Sequence, residues 1–143
     1  MAAVILNPVR RLLGNWSRAL LAACLAACLL LTGCSSNQSL TGNYVDDTVA
    51  VADALIATVS LPADDPGRAE AETEARGLIN DYMARYRPRT SVHGLASFTT
   101  MQTALNSLAG HYANYPNRPV PEALRERITK ELQKAERGVV RGA

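Results

Sequence analysis

Cysteine, histidine and aromatic residues are scarce in this chain of 143 residues, which has three cysteines, two histidines and 5% aromatic side chains. The sequence lacks the Cys-x-x-Cys-His pattern that attaches haem covalently. Neither histidine belongs to a His-x-x-x-His or His-Glu-x-x-His arrangement, and no glycine-rich phosphate loop or Gly-x-Ser-x-Gly elbow is present. These absences predict a protein that is not an enzyme and carries no cofactor and no metal.

Acidic residues are missing from the first 33 positions, which contain three arginines and an unbroken apolar run over residues 19–31. That run is shorter than the roughly 20 residues that a transmembrane helix requires. A basic segment followed by a short apolar run and small residues is typical of a bacterial export signal. The sequence Leu31-Thr32-Gly33-Cys34 resembles a lipobox. We therefore expect residues 1–33 to be a cleaved lipoprotein signal peptide, with an uncleaved membrane anchor as the alternative.

Cys34 is the residue that we expect to carry the lipid. The other two cysteines, Cys24 and Cys28, lie within the predicted signal peptide, so the mature chain has no pair of thiols from which to form a disulfide. Residues 34–43 are mostly polar and show no periodicity, which predicts a lipidated flexible tether. Nine extended residues span at most about 30 Å.

Apolar residues then recur at helical spacing in four segments. The four predicted stripes are Val45, Val49, Ala52, Leu55, Ile56 and Val59; Ala71, Ala75, Leu78, Ile79, Tyr82 and Tyr86; Phe98, Met101, Leu105, Leu108, Ala109 and Tyr112; and Leu124, Ile128, Leu132 and Ala135. Asp65 and Ser97 are the expected N-caps of the second and third helices. Signals for β-strands are weak. We predict an all-α fold, an antiparallel up-down-up-down four-helix bundle over residues 44–138, followed by a disordered tail at residues 139–143.

Charge is divided unevenly along the predicted domain. Residues 40–83 contain nine acidic and two basic residues, a balance of −7, whereas residues 84–143 have a balance of +6. Such a division suits orientation against a charged partner, or alternatively it holds the acidic and basic helices together. Nucleic acid is not an expected partner of an exported lipoprotein. The adjacent acids Asp46 and Asp47 point apart on a helix, which argues against a metal site and favours helix-start charges.

The segment from Tyr112 to Pro121, here called the proline-rich corner, joins the last two predicted helices with three prolines. Proline stiffens a connection and reduces the entropy lost on docking, and tyrosine and arginine contribute strongly to interfaces. The alternative is a rigid connection whose tyrosines pack on the end of the bundle. The candidate partner-binding residues are Asp46, Asp47, Tyr112, Tyr115, Asn117 and Arg118.

Several stretches resemble the cyanobacterial photosystem II assembly and repair lipoproteins, and the resemblance covers residues 34–135. The stretches are Leu40-Thr41-Gly42-Asn43-Tyr44, Asp47-Thr48, LPADDP at 61–66, EAR at 74–76, INDY at 79–82 and SFTTMQTALNSLAGHYANYPNRPVP at 97–121. The last of these is the most specific. Pro88 and the tail from Arg137 to Ala143 depart from the pattern.

The resemblance implies a four-helix bundle on the lumenal side of the thylakoid membrane, held there by the lipid on Cys34. It implies a monomeric factor that binds photosystem II assembly intermediates at the lumenal loop of a chlorophyll-binding inner antenna subunit. That factor assists assembly of the manganese cluster and prevents premature docking of the extrinsic subunits. A generic periplasmic adaptor lipoprotein and a metal-handling helical bundle are the other functions that the residues leave open.

Overall fold

The computed structural model describes residues 40–142, which form four α-helices and one short 3-10 helix. The helices are α1 (Tyr44–Val59), α2 (Arg68–Tyr86), α3 (Ala96–Asn114) and α4 (Glu122–Val140), and the 3-10 turn spans Thr90–Val92 between α2 and α3. No β-strand occurs within this range. The predicted signal peptide and the predicted lipidation site Cys34 lie outside the described residues.

The helices form a four-membered bundle in which each helix packs on its neighbour in sequence and α4 packs back on α1. Short connections make consecutive helices antiparallel, and the hydrogen bond from Arg127 of α4 to Ser107 of α3 aligns the last pair. The predicted all-α bundle is confirmed. None of the helices within residues 40–142 combines the length and apolarity needed to cross a bilayer.

The core lies along the axis between the four helices. Its largest fully buried side chains include Tyr82, Tyr86, Leu55, Met101, Leu105, Leu108, Ile128 and Leu132. In α1 the buried stripe is rotated from the predicted one, because Asp47, Thr48 and Val51 face inward while Val45 is 39% exposed. Polar groups occupy two inward positions of this helix because their hydrogen bonds are satisfied, those of Asp47 by residues 41–42 and Tyr86 and those of Thr48 by Tyr44 and Tyr82.

Two predicted N-caps are wrong. The second helix begins at Arg68 with Gly67 as its N-cap, and Asp65 Oδ1 instead accepts a hydrogen bond from the Gly67 amide at 2.8 Å within the preceding turn. The third helix begins one residue before Ser97. Ser97 is buried, and its hydroxyl forms a 3.0 Å hydrogen bond with the Tyr44 hydroxyl of α1. Asp65 therefore bonds within its own turn and Ser97 bonds a residue of another helix, and neither side chain caps the start of a helix.

The fourth helix extends further than predicted. It continues to Val140, two residues beyond the expected domain end at 138, and Val139 is buried. Val139 follows Ala135 at helical spacing, so its burial extends the apolar stripe and outweighs the helix-weakening effect of Gly138. The predicted disordered tail at 139–143 therefore begins too early.

Candidate functional site

The proline-rich corner folds back tightly on the end of α3. The Tyr115 amide donates to the His111 carbonyl at 2.8 Å, and the Arg118 amide donates to the Tyr115 carbonyl at 3.2 Å. Between them, Asn117 adopts a left-handed backbone conformation with φ of 64°, which asparagine tolerates better than most residues. The loop is therefore held in one conformation by its own backbone.

His111 supports the corner from inside the bundle. The imidazole is buried, and its Nε2 lies 3.2 Å from the Arg118 carbonyl oxygen, which fixes Nε2 as the donor. Its ring centroid lies 5.4 Å from that of Tyr115. This histidine therefore braces the loop, and residues 40–142 contain no group of three or more His, Cys, Asp or Glu side chains placed to hold a metal ion.

The predicted corner residues divide into exposed and buried members. Tyr115 is 52% exposed, and Asn117 and Arg118 are also exposed. Tyr112 is only 3% exposed. The Arg76 guanidinium lies 5.2 Å from the Tyr112 ring centroid and donates to the Tyr112 carbonyl at 3.4 Å. The alternative of packed tyrosines thus holds for Tyr112, while Tyr115 remains available to a partner.

The Tyr112 hydroxyl is buried without a hydrogen-bond partner within residues 40–142. Burial raises the pKa of this phenol to about 12, the negative charge of Glu72 adds to the rise, and Arg76 and Arg68 oppose it. Buried hydroxyls in native proteins usually have a partner. The side chain therefore retains an unused hydrogen-bonding capacity at the end of the bundle that carries the corner.

Asp47 is not a surface residue, which contradicts its predicted partner-binding role. Its Oδ1 accepts from the Thr41 amide and hydroxyl, both at 2.7 Å, and its Oδ2 accepts from the Gly42 amide at 3.0 Å and the Tyr86 hydroxyl at 2.5 Å. These bonds fold residues 41–42 back onto α1 and join α1 to the end of α2. The carboxylate therefore stabilises the fold.

Asp46 is exposed but lies far from the proline-rich corner. The Tyr44–Ser97 hydrogen bond places the start of α1 beside the start of α3, whereas the corner follows the end of α3 at Asn114. At 1.5 Å per residue the intervening helix is about 27 Å long. The structure therefore separates Asp46 from Tyr115 and Arg118, and the predicted set does not form one site.

Sequence reasoning missed three charged residues near Tyr112. Arg68, Glu72 and Arg125 line a cavity of about 220 Å³ beside it, and Arg68 Nη1 donates to Glu72 Oε1 at 2.7 Å. The i, i+4 spacing of Arg68 and Glu72 is a signal for an ion pair. Nothing in the sequence places that pair against Tyr112 and Arg125, because they come from three different helices.

A family model described as Photosystem II Pbs27 matches residues 10–138. The chain belongs to this family. It is 50% identical over 130 residues to "Photosystem II lipoprotein Psb27" of Synechocystis sp. (strain ATCC 27184 / PCC 6803 / Kazusa), covering 91% of this chain and 97% of the relative. It is 48% identical over 120 residues to "Photosystem II assembly factor lipoprotein Psb27" of Thermosynechococcus vestitus (strain NIES-2133 / IAM M-273 / BP-1), covering 83% and 90%.

The fold of this Pbs27 family member also matches a solved structure. The solution structure of Psb27 from cyanobacterial photosystem II superposes with a TM-score of 0.71 at 51% sequence identity, covering 79% of this chain and 98% of that one. The solved relative thus consists almost entirely of the matched part.

Proposed function

We propose that the protein is a non-enzymatic assembly and repair factor of photosystem II. The observation that carries the proposal is the 50% identity to a photosystem II lipoprotein over 91% of the chain. The described residues support a binding role, since they form a small bundle with a rigid, partly exposed corner. The partner is the lumenal loop of a chlorophyll-binding inner antenna subunit in assembly intermediates. By occupying that surface, the protein assists assembly of the manganese cluster and delays docking of the extrinsic subunits.

The exposed part of the proline-rich corner is the partner-binding surface in this proposal. Tyr115, Asn117 and Arg118 present an aromatic ring, an amide and a guanidinium, which are groups that recur in interfaces. His111 and the local turn bonds hold the loop in place before a partner arrives. A preorganised loop loses little conformational entropy on docking. A small corner can therefore contribute usefully to a reversible interaction.

A lipid on Cys34 tethers the bundle to the lumenal side of the thylakoid membrane in this proposal. Because Asp47 holds Thr41 and Gly42 against α1, six residues separate Cys34 from the first held residue. Such a segment spans at most about 25 Å. Short linkers give effective concentrations of roughly millimolar order, so a weak interface becomes well occupied while dissociation stays fast.

Alanine substitution at the corner tests the proposal. The lipidated, tagged protein is incubated with solubilised thylakoids, and the captured photosystem II intermediates are quantified for wild type and for a Tyr115→Ala, Arg118→Ala variant. Interface anchors of this type lower affinity about tenfold or more when truncated, so we expect capture to fall by that order. Circular dichroism should show unchanged helicity, because both side chains are exposed.

Arg87→Ala is the matched control. Arg87 is also exposed, but it follows the end of α2 at the opposite end of the bundle, and we expect its substitution to leave capture unchanged. Equal capture by wild type and the double variant would remove the corner from the interface. Failure of the wild-type protein to capture any photosystem II intermediate would contradict the proposed function itself.

A further inference from the structure

A cavity of about 220 Å³ opens at the end of the bundle that carries the proline-rich corner. It lies between the α1–α2 connection and the α3–α4 connection, so both loops contribute to its walls. The side chains that matter for its chemistry are Val59, Leu61, Arg68, Glu72, Tyr112, Val120 and Arg125. The volume is sufficient for one side chain of an approaching molecule.

Tyr112 is the unusual residue among those that line this cavity. The residue is 97% buried, and the hydroxyl has no hydrogen-bond partner within residues 40–142. The charges that act on it belong to Glu72, Arg76 and Arg68, and two of these residues line the same cavity. A buried donor without an acceptor destabilises the free protein relative to a satisfied one. An acceptor supplied by a bound molecule would form the missing hydrogen bond and remove this destabilisation.

The charges of the cavity favour an anionic acceptor. Arg68 and Arg125 both line it, against the single carboxylate of Glu72. Glu72 is already engaged by Arg68 at 2.7 Å, and the partner of Arg125 is Glu122, whose side chain is 63% exposed and lies outside the lining. Among the lining residues, Arg125 is therefore the guanidinium without a carboxylate partner in the cavity, and the buried Tyr112 hydroxyl is a donor without an acceptor within residues 40–142. Val59, Leu61 and Val120 provide apolar contacts for a methylene stem.

We propose that this cavity binds the carboxylate of an acidic side chain presented by the photosystem II partner. On binding, the Tyr112 hydroxyl, which is buried in the free protein, donates a hydrogen bond to that carboxylate, and Arg125 balances its charge. Val120 belongs to both the cavity and the proline-rich corner, so the cavity is continuous with the surface formed by Tyr115 and Arg118. This inference rests on the proposed function and specifies which chemical group the partner contributes.

Tyr112→Phe tests the inference, with Tyr82→Phe as its matched control. Both tyrosines are buried, but the Tyr82 hydroxyl is bonded to Thr48 Oγ1 at 2.7 Å whereas the Tyr112 hydroxyl has no partner in the described part of the chain. We expect Tyr112→Phe to leave the melting temperature unchanged or raise it, and to lower capture of photosystem II intermediates about tenfold, as for a lost hydrogen bond to a charged group. Tyr82→Phe should lower the melting temperature and leave capture by the folded protein unchanged.

Three results would overturn the inference. Capture by Tyr112→Phe equal to that of wild type would show that the hydroxyl does not contact the partner. A lower melting temperature for Tyr112→Phe would show that the hydroxyl has an internal partner. In a second arm, sodium glutarate is titrated into the protein and followed by NMR. Shifts of the Tyr112 and Val120 amides, combined with unchanged capture by Tyr112→Phe, would assign the cavity to a soluble carboxylate. Absence of capture by wild type instead contradicts the proposed function.

Discussion

Replacing Asp47 by asparagine perturbs the most highly connected polar group of the bundle with almost no change in size. Each carboxylate oxygen accepts two hydrogen bonds, Oδ1 from the amide and hydroxyl of Thr41 and Oδ2 from the Gly42 amide and the Tyr86 hydroxyl. An asparagine amide has one acceptor oxygen and one NH2 group. Whichever way it turns, its NH2 group faces one backbone amide, which can only donate, and one hydroxyl, which can reverse and accept.

The expected cost follows from one lost amide hydrogen bond and from the loss of charge in the partner of the other three. A hydrogen bond to a charged group contributes about 1.5–3 kcal/mol and one between neutral groups about 0.5–1.5 kcal/mol, so one lost bond and three weakened bonds amount to roughly 4–6 kcal/mol. Removing a buried charge offsets part of this loss, and residues 40–42 can move away. We therefore expect the free energy of unfolding to fall by about 3 kcal/mol. For a domain of this size that lowers the melting temperature by about 12 °C.

The measurement is thermal and urea unfolding followed by circular dichroism at 222 nm, on the chain from residue 34 with Cys34→Ser. Asp46→Asn is the matched control, because Asp46 is the neighbouring acid in the same first turn but is exposed. Its loss removes only a favourable helix-dipole interaction of about 0.3–1 kcal/mol. Equal melting temperatures for the two variants would refute the assignment of Asp47 as a structural carboxylate.

Two further predictions concern the stability of the bundle at low pH and the lipid on Cys34. Burial tends to raise the pKa of Asp47, but hydrogen bonds from Tyr86, Thr41 and Gly42 outweigh it and hold the pKa below its ordinary value. Its stabilisation is therefore complete above the unfolded-state pKa of about 3.9 and is lost as the pH falls through the lower folded-state value. Urea midpoints between pH 7 and 2.5 should fall more steeply for wild type than for Asp47→Asn. Cys34→Ala should leave the bundle folded but lower its occupancy on purified photosystem II, and equal loading of the exported, unlipidated protein would contradict the tether.

Much of the fold is predictable from local patterns. Four apolar stripes at helical spacing place the helices because a surface helix must bury one face, and Pro62, Pro88 and Pro116 separate them because proline cannot continue a helix. The stripes of α2, α3 and α4 match the buried residues closely, including Tyr82, Leu105 and Ile128. The 3-10 turn at Thr90–Val92 lies in the connection between the second and third apolar stripes.

The rotation of α1 is the part of the fold that periodicity misjudges. Val45, Val49 and Ile56 form a plausible apolar stripe, yet Asp47 and Thr48 face inward. Their side chains find partners on α2, since Tyr86 bonds Asp47 and Tyr82 bonds Thr48. A buried polar group costs little once it is hydrogen-bonded, and hydropathy patterns carry no information about partners forty residues away.

The candidate site, like the fold, is only partly predictable from the sequence. The composition of the proline-rich corner marks it as a rigid connection with interface-type residues, and Tyr115 and Arg118 are indeed exposed. Tyr112 lies in the last turn of α3 and is buried, whereas Tyr115 follows the helix end with non-helical φ and ψ of −131° and 65° and is 52% exposed. Asp46 belongs to the opposite end of the bundle, a separation that follows from chain direction in the folded state.

By itself, the sequence determines the helical class, the approximate helix limits, the family and the rigid corner, because each depends on neighbouring residues or on overall similarity. The tertiary structure alone decides that Asp47 is a buried acceptor, that the Tyr112 hydroxyl has no hydrogen-bond partner among residues 40–142, and that Arg68 and Arg125 share a cavity with Tyr112. These features depend on how one helix is rotated and shifted against another, and that register is set by the packing of all four helices together.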